Sequence, residues 1–215
     1  MSMNRREALR TLTSGVLAGS VLRSIPEAAA QQVHEMVQSE KSASPSGNYA
    51  PKFFPAAQYK TLQMLAQLII PADGRSGGAM EGGAPEFIDL LCSENEDYAL
   101  RAAGGLRWLD AACDDRYSAA FADASPAQQD EILQLIAFRK NAESDSQLLP
   151  GVQFFAFIRR LTVDAFFSSK VGIADLGYIG NKYVRGPFPG CPPPPALPAQ
   201  PPPVESTPSA QTKPS

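Results

Sequence analysis

Residues 152–169, VQFFAFIRRLTVDAFFSS, decide what kind of fold this chain makes. Phe154, Phe155, Phe157, Ile158, Leu161, Val163, Phe166 and Phe167 fall on nearly all sides of an α-helix. A helix apolar all round is central in its domain or covered by a partner. Elsewhere the β-branched residues are too scattered to suggest strands. The expectation is an all-α fold, a compact bundle of about five or six helices.

Moving outward toward the N-terminus, SPAQQDEILQLIAF (residues 125–138) opens with a strong start signal. Ser125 can cap, Pro126 suits the first helical position, and Gln128 can close a capping box. Ile132, Leu133 and Ile136 then face the core. A longer helix runs from about Asp97 to Tyr117, with Leu106, Leu109, Cys113 and Tyr117 as its stripe and Trp108 off it. Pro85 and Glu86 begin a helix through Phe87, Ile88 and Leu91. AAQYKTLQMLAQLIIP places Tyr59, Leu62, Leu65, Ala66 and Ile69 on one face and stops at Pro71. The glycine-rich stretch Ala72–Ala84 reads as a flexible connection, because neither a preceding strand nor a lysine-serine/threonine pair marks a phosphate cradle. After the aromatic helix, residues 168–190 mix five glycines with Ile173, Leu176, Tyr178, Ile179, Tyr183 and Phe188. Such a stretch belongs against a surface, either the domain's own or another protein's.

The two ends look non-globular. Residues 1–30 join a basic head (Arg5, Arg6, Arg10) to a short apolar run, Thr11–Leu22, and an A-x-A-like stretch at Ala28–Ala30. Those are the parts of a secretory signal. The pair Arg5-Arg6 in NRREALR is similar to the twin-arginine export motif, with Ala8 where that motif has a bulkier apolar residue. Residues 31–52 are polar and read as a disordered linker. Residues 191–215 are dominated by proline and read as an extended, disordered tail. One domain, residues 53–190, lies between. Of 19 basic and 22 acidic side chains, the signal takes four arginines and two glutamates, leaving a net charge of −5. An acidic body argues against nucleic acid as a partner.

Catalytic chemistry is hard to find. The single histidine, His34, falls in the linker, so a Ser–His–Asp or Cys–His arrangement has no imidazole within the fold. Asp73, Glu86, Asp89, Asp110, Asp164 and Asp175 are spaced as ordinary surface and helix-start residues. No dinucleotide fingerprint follows a strand, and a metal site built from three cysteines and this histidine is not expected. The expectation is no catalytic, cofactor-binding or metal-ligating residue. In an exported protein the simplest account of the cysteines is a Cys92–Cys113 bridge, contributing about 3 kcal/mol, with Cys191 left over; only geometry can decide it.

LAQLIIPADG, APEFIDLL, GLRWLDAACDDRYSAAFADASPAQQDEIL, FFAFIRRLTVDAFFSS and VGIADLGYIGN, in this order over about residues 53–191, closely resemble the gluconate 2-dehydrogenase subunit 3 family. The resemblance implies a non-catalytic small subunit of a membrane-associated, flavin-dependent sugar, sugar-acid or polyol dehydrogenase. In such complexes a large subunit holds FAD, a multihaem cytochrome c subunit carries haem c, and the small subunit escorts the flavoprotein through the twin-arginine translocation machinery. The implied location is the periplasm, at the inner membrane through the complex. Export then falls to Arg5 and Arg6, and partner docking to Leu176, Gly177, Tyr178, Gly180 and Asn181, with the aromatic patch Phe154, Phe155 and Phe166 contributing. The alternative is a free-standing exported structural or envelope-interaction module that uses the proline tail as a spacer.

Overall fold

In the computed structural model, residues 25–178 are described, and they contain nine α-helices and no strand. Helix α1 is Glu27–Ala43, α2 Ala56–Ile69, α3 Gly78–Glu81, α4 Ala84–Glu94 and α5 Glu96–Tyr117. Helix α6 is Pro126–Ile136, α7 Arg139–Ser144, α8 Leu149–Phe167 and α9 Lys170–Asp175. Six of them are 11 residues or longer, which matches the expected bundle.

Helix α8 is the axle that the aromatic run foretold. It buries Phe154, Phe155, Phe157, Ile158, Leu161 and Phe166 among its ten buried residues, and it touches α2 through α7 and α9. Close approach is allowed by glycines on its neighbours. A Cβ on Gly105 of α5 would sit 1.8 Å from Phe154 Cδ2, and one on Gly82 would sit 2.7 Å from Phe166 Cδ2. Trp108 lies half-buried over Gly151, where a Cβ would come within 2.3 Å of its ring. Its place is in the packing.

The caps follow the sequence closely. Ser125 Oγ accepts from Gln128 N–H, and Gln128 Oε1 accepts from Ser125 N–H at 2.8 Å, a complete capping box on α6. Asn95 accepts from the amides of Asp97 and Tyr98 at the start of α5. The glycine-rich stretch differs from a plain loop, because it holds the single turn α3. Gly78, at φ +68°, lets the chain double back until Ala79 N–H reaches Ile70 O at 2.9 Å. A side chain there would collide with Ile70 O and Ala72 N at 2.6 Å.

The largest departure is α1. The stretch expected to be a disordered linker, residues 31–52, is helical through Ala43 and packs on α4, and the expected signal boundary at Ala30 falls inside that helix. Its interior stripe is narrow: Ala29, Ala30, Val33 and Val37 are buried, at spacings of three and four. Most other positions carry Gln, Glu, Ser and Lys, good helix formers for the most part, whose polarity hides the stripe from a reading by composition. The ion pair Lys41–Glu86, at 3.0 Å, ties the far end of α1 to α4.

Candidate functional site

Three carboxylates on the inner helices do the same job. On α4, Asp89 is fully buried and accepts from Tyr49 Oη at 2.8 Å and from the amides of Lys52, Phe53 and Phe54 at 2.7, 3.2 and 2.9 Å. On α5, Asp110 accepts from Phe121 N–H at 3.2 Å and from Thr61 Oγ1 at 3.1 Å. On α8, Asp164 accepts from Ile25 N–H at 3.1 Å and pairs with Arg160 at 3.6 Å. Burial pushes the pKa of both Asp110 and Asp164 above the ordinary carboxylate value, against the pull of those hydrogen bonds. Each fastens an arriving segment of chain to a core helix. The sequence reading of Asp89, Asp110 and Asp164 as ordinary surface groups is therefore corrected. Asp73 does fit it: exposed, it folds an Asx turn by accepting from Arg75 and Ser76 N–H at 2.8 Å, and those bonds lower its pKa.

His34 is the second correction, since it belongs to the fold and not to a linker. Its ring lies half-buried on α1, 5.0 Å from the Phe87 ring, with Nε2 2.9 Å from Ala165 O and 3.0 Å from Ser168 Oγ. Burial lowers its pKa below the ordinary 6.5. A histidine beside a serine raises the question of a nucleophile and its base, and the wiring answers it. A carbonyl can only accept, so Nε2 must carry the hydrogen that goes to Ala165 O. Ser168 Oγ in turn donates to Asp164 O at 2.6 Å. Both hydrogens point at backbone carbonyls in the last turn of α8, which suits a helix C-terminus and not proton abstraction from serine. The α1 face carrying Gln31, His34 and Glu35 and the turn from α8 into α9 border a groove of about 820 Å³.

Of the residues expected to dock a partner, Phe154, Phe155 and Phe166 are buried at 5%, 9% and 1% exposure, so they belong to the core and not to a docking face. Leu176 and Tyr178 are exposed, at 62% and 53%, and Gly177 between them takes φ +65°. Gly180, Asn181, Arg5 and Arg6 lie outside the described residues. The Cys92–Cys113 bridge is also corrected. Both thiols are free and buried in the core, where burial pushes the Cys92 pKa up and that of Cys113 up to about 11. Phe138, half-exposed before α7 with the Lys140 ammonium 5.5 Å above its ring, carries no signal in the sequence that sets it apart.

Among the described residues, Val163, Phe167, Leu176 and Tyr178 are the exposed large hydrophobics of the C-terminal stretch; Phe166, beside Phe167, is buried. No group of three His, Cys, Asp or Glu side chains there is placed to hold a metal, and no helix there is long and apolar enough to cross a membrane. Fold and site together define a small all-helical protein whose buried ionisable groups fasten segments and whose stretch from Val163 to Tyr178 shows apolar side chains outward. Residues 56–190 match the family model described as gluconate 2-dehydrogenase subunit 3, and the chain belongs to that family. Membership implies a subunit of a multi-subunit dehydrogenase. No curated protein and no solved structure matches the chain.

Proposed function

We propose that this chain is the non-catalytic small subunit of a periplasmic, FAD-dependent sugar, sugar-acid or polyol dehydrogenase, and that it escorts the flavoprotein subunit out of the cytoplasm. In this reading the flavin and the substrate sit on the large subunit, and a haem c cytochrome subunit takes the electrons. The twin-arginine route carries folded cargo, so a flavoprotein with no leader of its own can travel only while bound to a companion that has one. Arg5 and Arg6 supply the address. Leu176, Gly177 and Tyr178 supply part of the grip.

The observation that carries the reading is the exposure of Phe167, Leu176 and Tyr178 within the family-matched span. Exposed apolar side chains grouped within one short stretch of chain support a contact with another protein. The test is co-expression with a candidate flavoprotein dehydrogenase subunit from the same genome. Arg5→Lys with Arg6→Lys is expected to leave both chains in the cytoplasm, and affinity capture of this chain is expected to bring down a flavin-containing partner. Normal export of the flavoprotein in cells lacking this chain would end the escort reading. A chain that purifies as a monomer from cells expressing that flavoprotein would favour the free-standing module instead.

A further inference from the structure

The A-x-A-like stretch Ala28–Ala30 looks, as sequence, like the place where a leader is cut. In the fold it is the first turn of α1. Ala29 and Ala30 are 3% and 1% exposed, and their amides bond to Pro26 O at 2.9 and 3.0 Å. One residue before that proline, Ile25 N–H is held by Asp164 Oδ2 of α8 at 3.1 Å. Val33 and Val37, the next two buried positions on the same stripe, anchor the helix that follows.

We infer that Ile25–Ala30 is a permanent part of the folded body and that the Ala30–Gln31 bond stays whole, so that any trimming of the leader falls before Ile25. A peptidase takes its substrate as an extended, accessible strand, and nicking concentrates at exposed loops. Reaching Ala30–Gln31 requires the start of α1 to unwind, Ala29 and Ala30 to leave the core, and the Ile25–Asp164 bond to break together. A cut there would also place a new ammonium group at the head of α1, where the helix dipole already concentrates positive charge. The inference rests on the export reading in one respect: a chain that crosses the membrane folded meets the peptidase with α1 already docked.

Two measurements test it, and the second is independent of export. N-terminal sequencing and intact mass of the chain recovered from the periplasmic or membrane fraction are expected to place the first residue at or before Ile25. A first residue of Gln31 overturns the inference. Confinement of the chain to the cytoplasm would count against the export reading alone. In the second measurement, the purified full-length chain is incubated with detergent-solubilised signal peptidase, alongside a V33D/V37D double variant that undocks α1. Cleavage after Ala30 is expected to be at least about tenfold slower in the unaltered chain than in the variant. Equal rates, or no cleavage of the variant, would show that docking of α1 is not what protects the bond.

Discussion

Helices α8 and α1 differ sharply in polarity, yet both belong to the same core. Helix α8 buries ten residues, six of them large and apolar, and hardly has a polar side. Helix α1 buries four, none larger than valine, on a helix otherwise covered in polar groups. The difference teaches that mean hydropathy is a poor guide to membership of a core. A helix needs only a continuous stripe narrow enough to seat, and alanine and valine seat closely because they are small. The two helices also meet chemically, through His34 of α1 and the carbonyl of Ala165 in α8.

That comparison can be broken by measurement. Phe166→Ala should cost about 3–5 kcal/mol in denaturant unfolding, the range for a large aromatic truncated in a core. A loss below about 1 kcal/mol would return Phe166 to the surface and revive it as a docking residue. Val37→Ala should cost about 2 kcal/mol if α1 is seated as described, and a neutral result would free α1 from the body. His34→Gln sharpens the contact between the two helices. With the folded pKa held below 6.5, the unfolded chain takes up a proton that the fold resists. Stability is therefore full above pH 6.5 and falls with acid, by less than about 1.4 kcal/mol per pH unit. Glu86 opposes this by favouring the charged ring. Melting curves from about pH 7 to about pH 5.5 should slope for the unaltered protein and lie flatter for His34→Gln; Asp110 and Asp164, whose raised pKa values add stability on protonation, are common to both proteins and cancel in the difference. Leu176→Ser should change stability least, within about 0.5 kcal/mol, while lowering recovery of the partner subunit. Unchanged recovery would move the docking face elsewhere.

The parts legible in the sequence were those with wide or signed patterns. The aromatic run of α8, the Ser125–Gln128 box and the stop at Pro71 each state their structure locally, and each appears as read. Helix α1 was hidden because its stripe is made of alanine and valine at four positions only. Asp89 was hidden for another reason. A carboxylate in the middle of a helix looks the same whether it meets water or the amides of Lys52, Phe53 and Phe54, and those amides arrive from a segment 35 to 37 residues away. The same distance problem hid His34, whose partners lie 131 and 134 residues along the chain. Phe154, Phe155 and Phe166 were misassigned because an all-round apolar helix leaves open whether the cover is the protein itself.

Asp89 holds its strap by amide hydrogens, which every amino acid except proline supplies. The clamp is thus indifferent to side-chain identity along most of what it grips. Lys52, whose side chain is partly exposed in an ion pair with Glu40, could be exchanged for a cysteine carrying a dye or a crosslinker at little structural expense, whereas proline at the same position would unfasten the strap. A chemist wanting a reporter on this subunit has an attachment point there, one peptide unit from the interior.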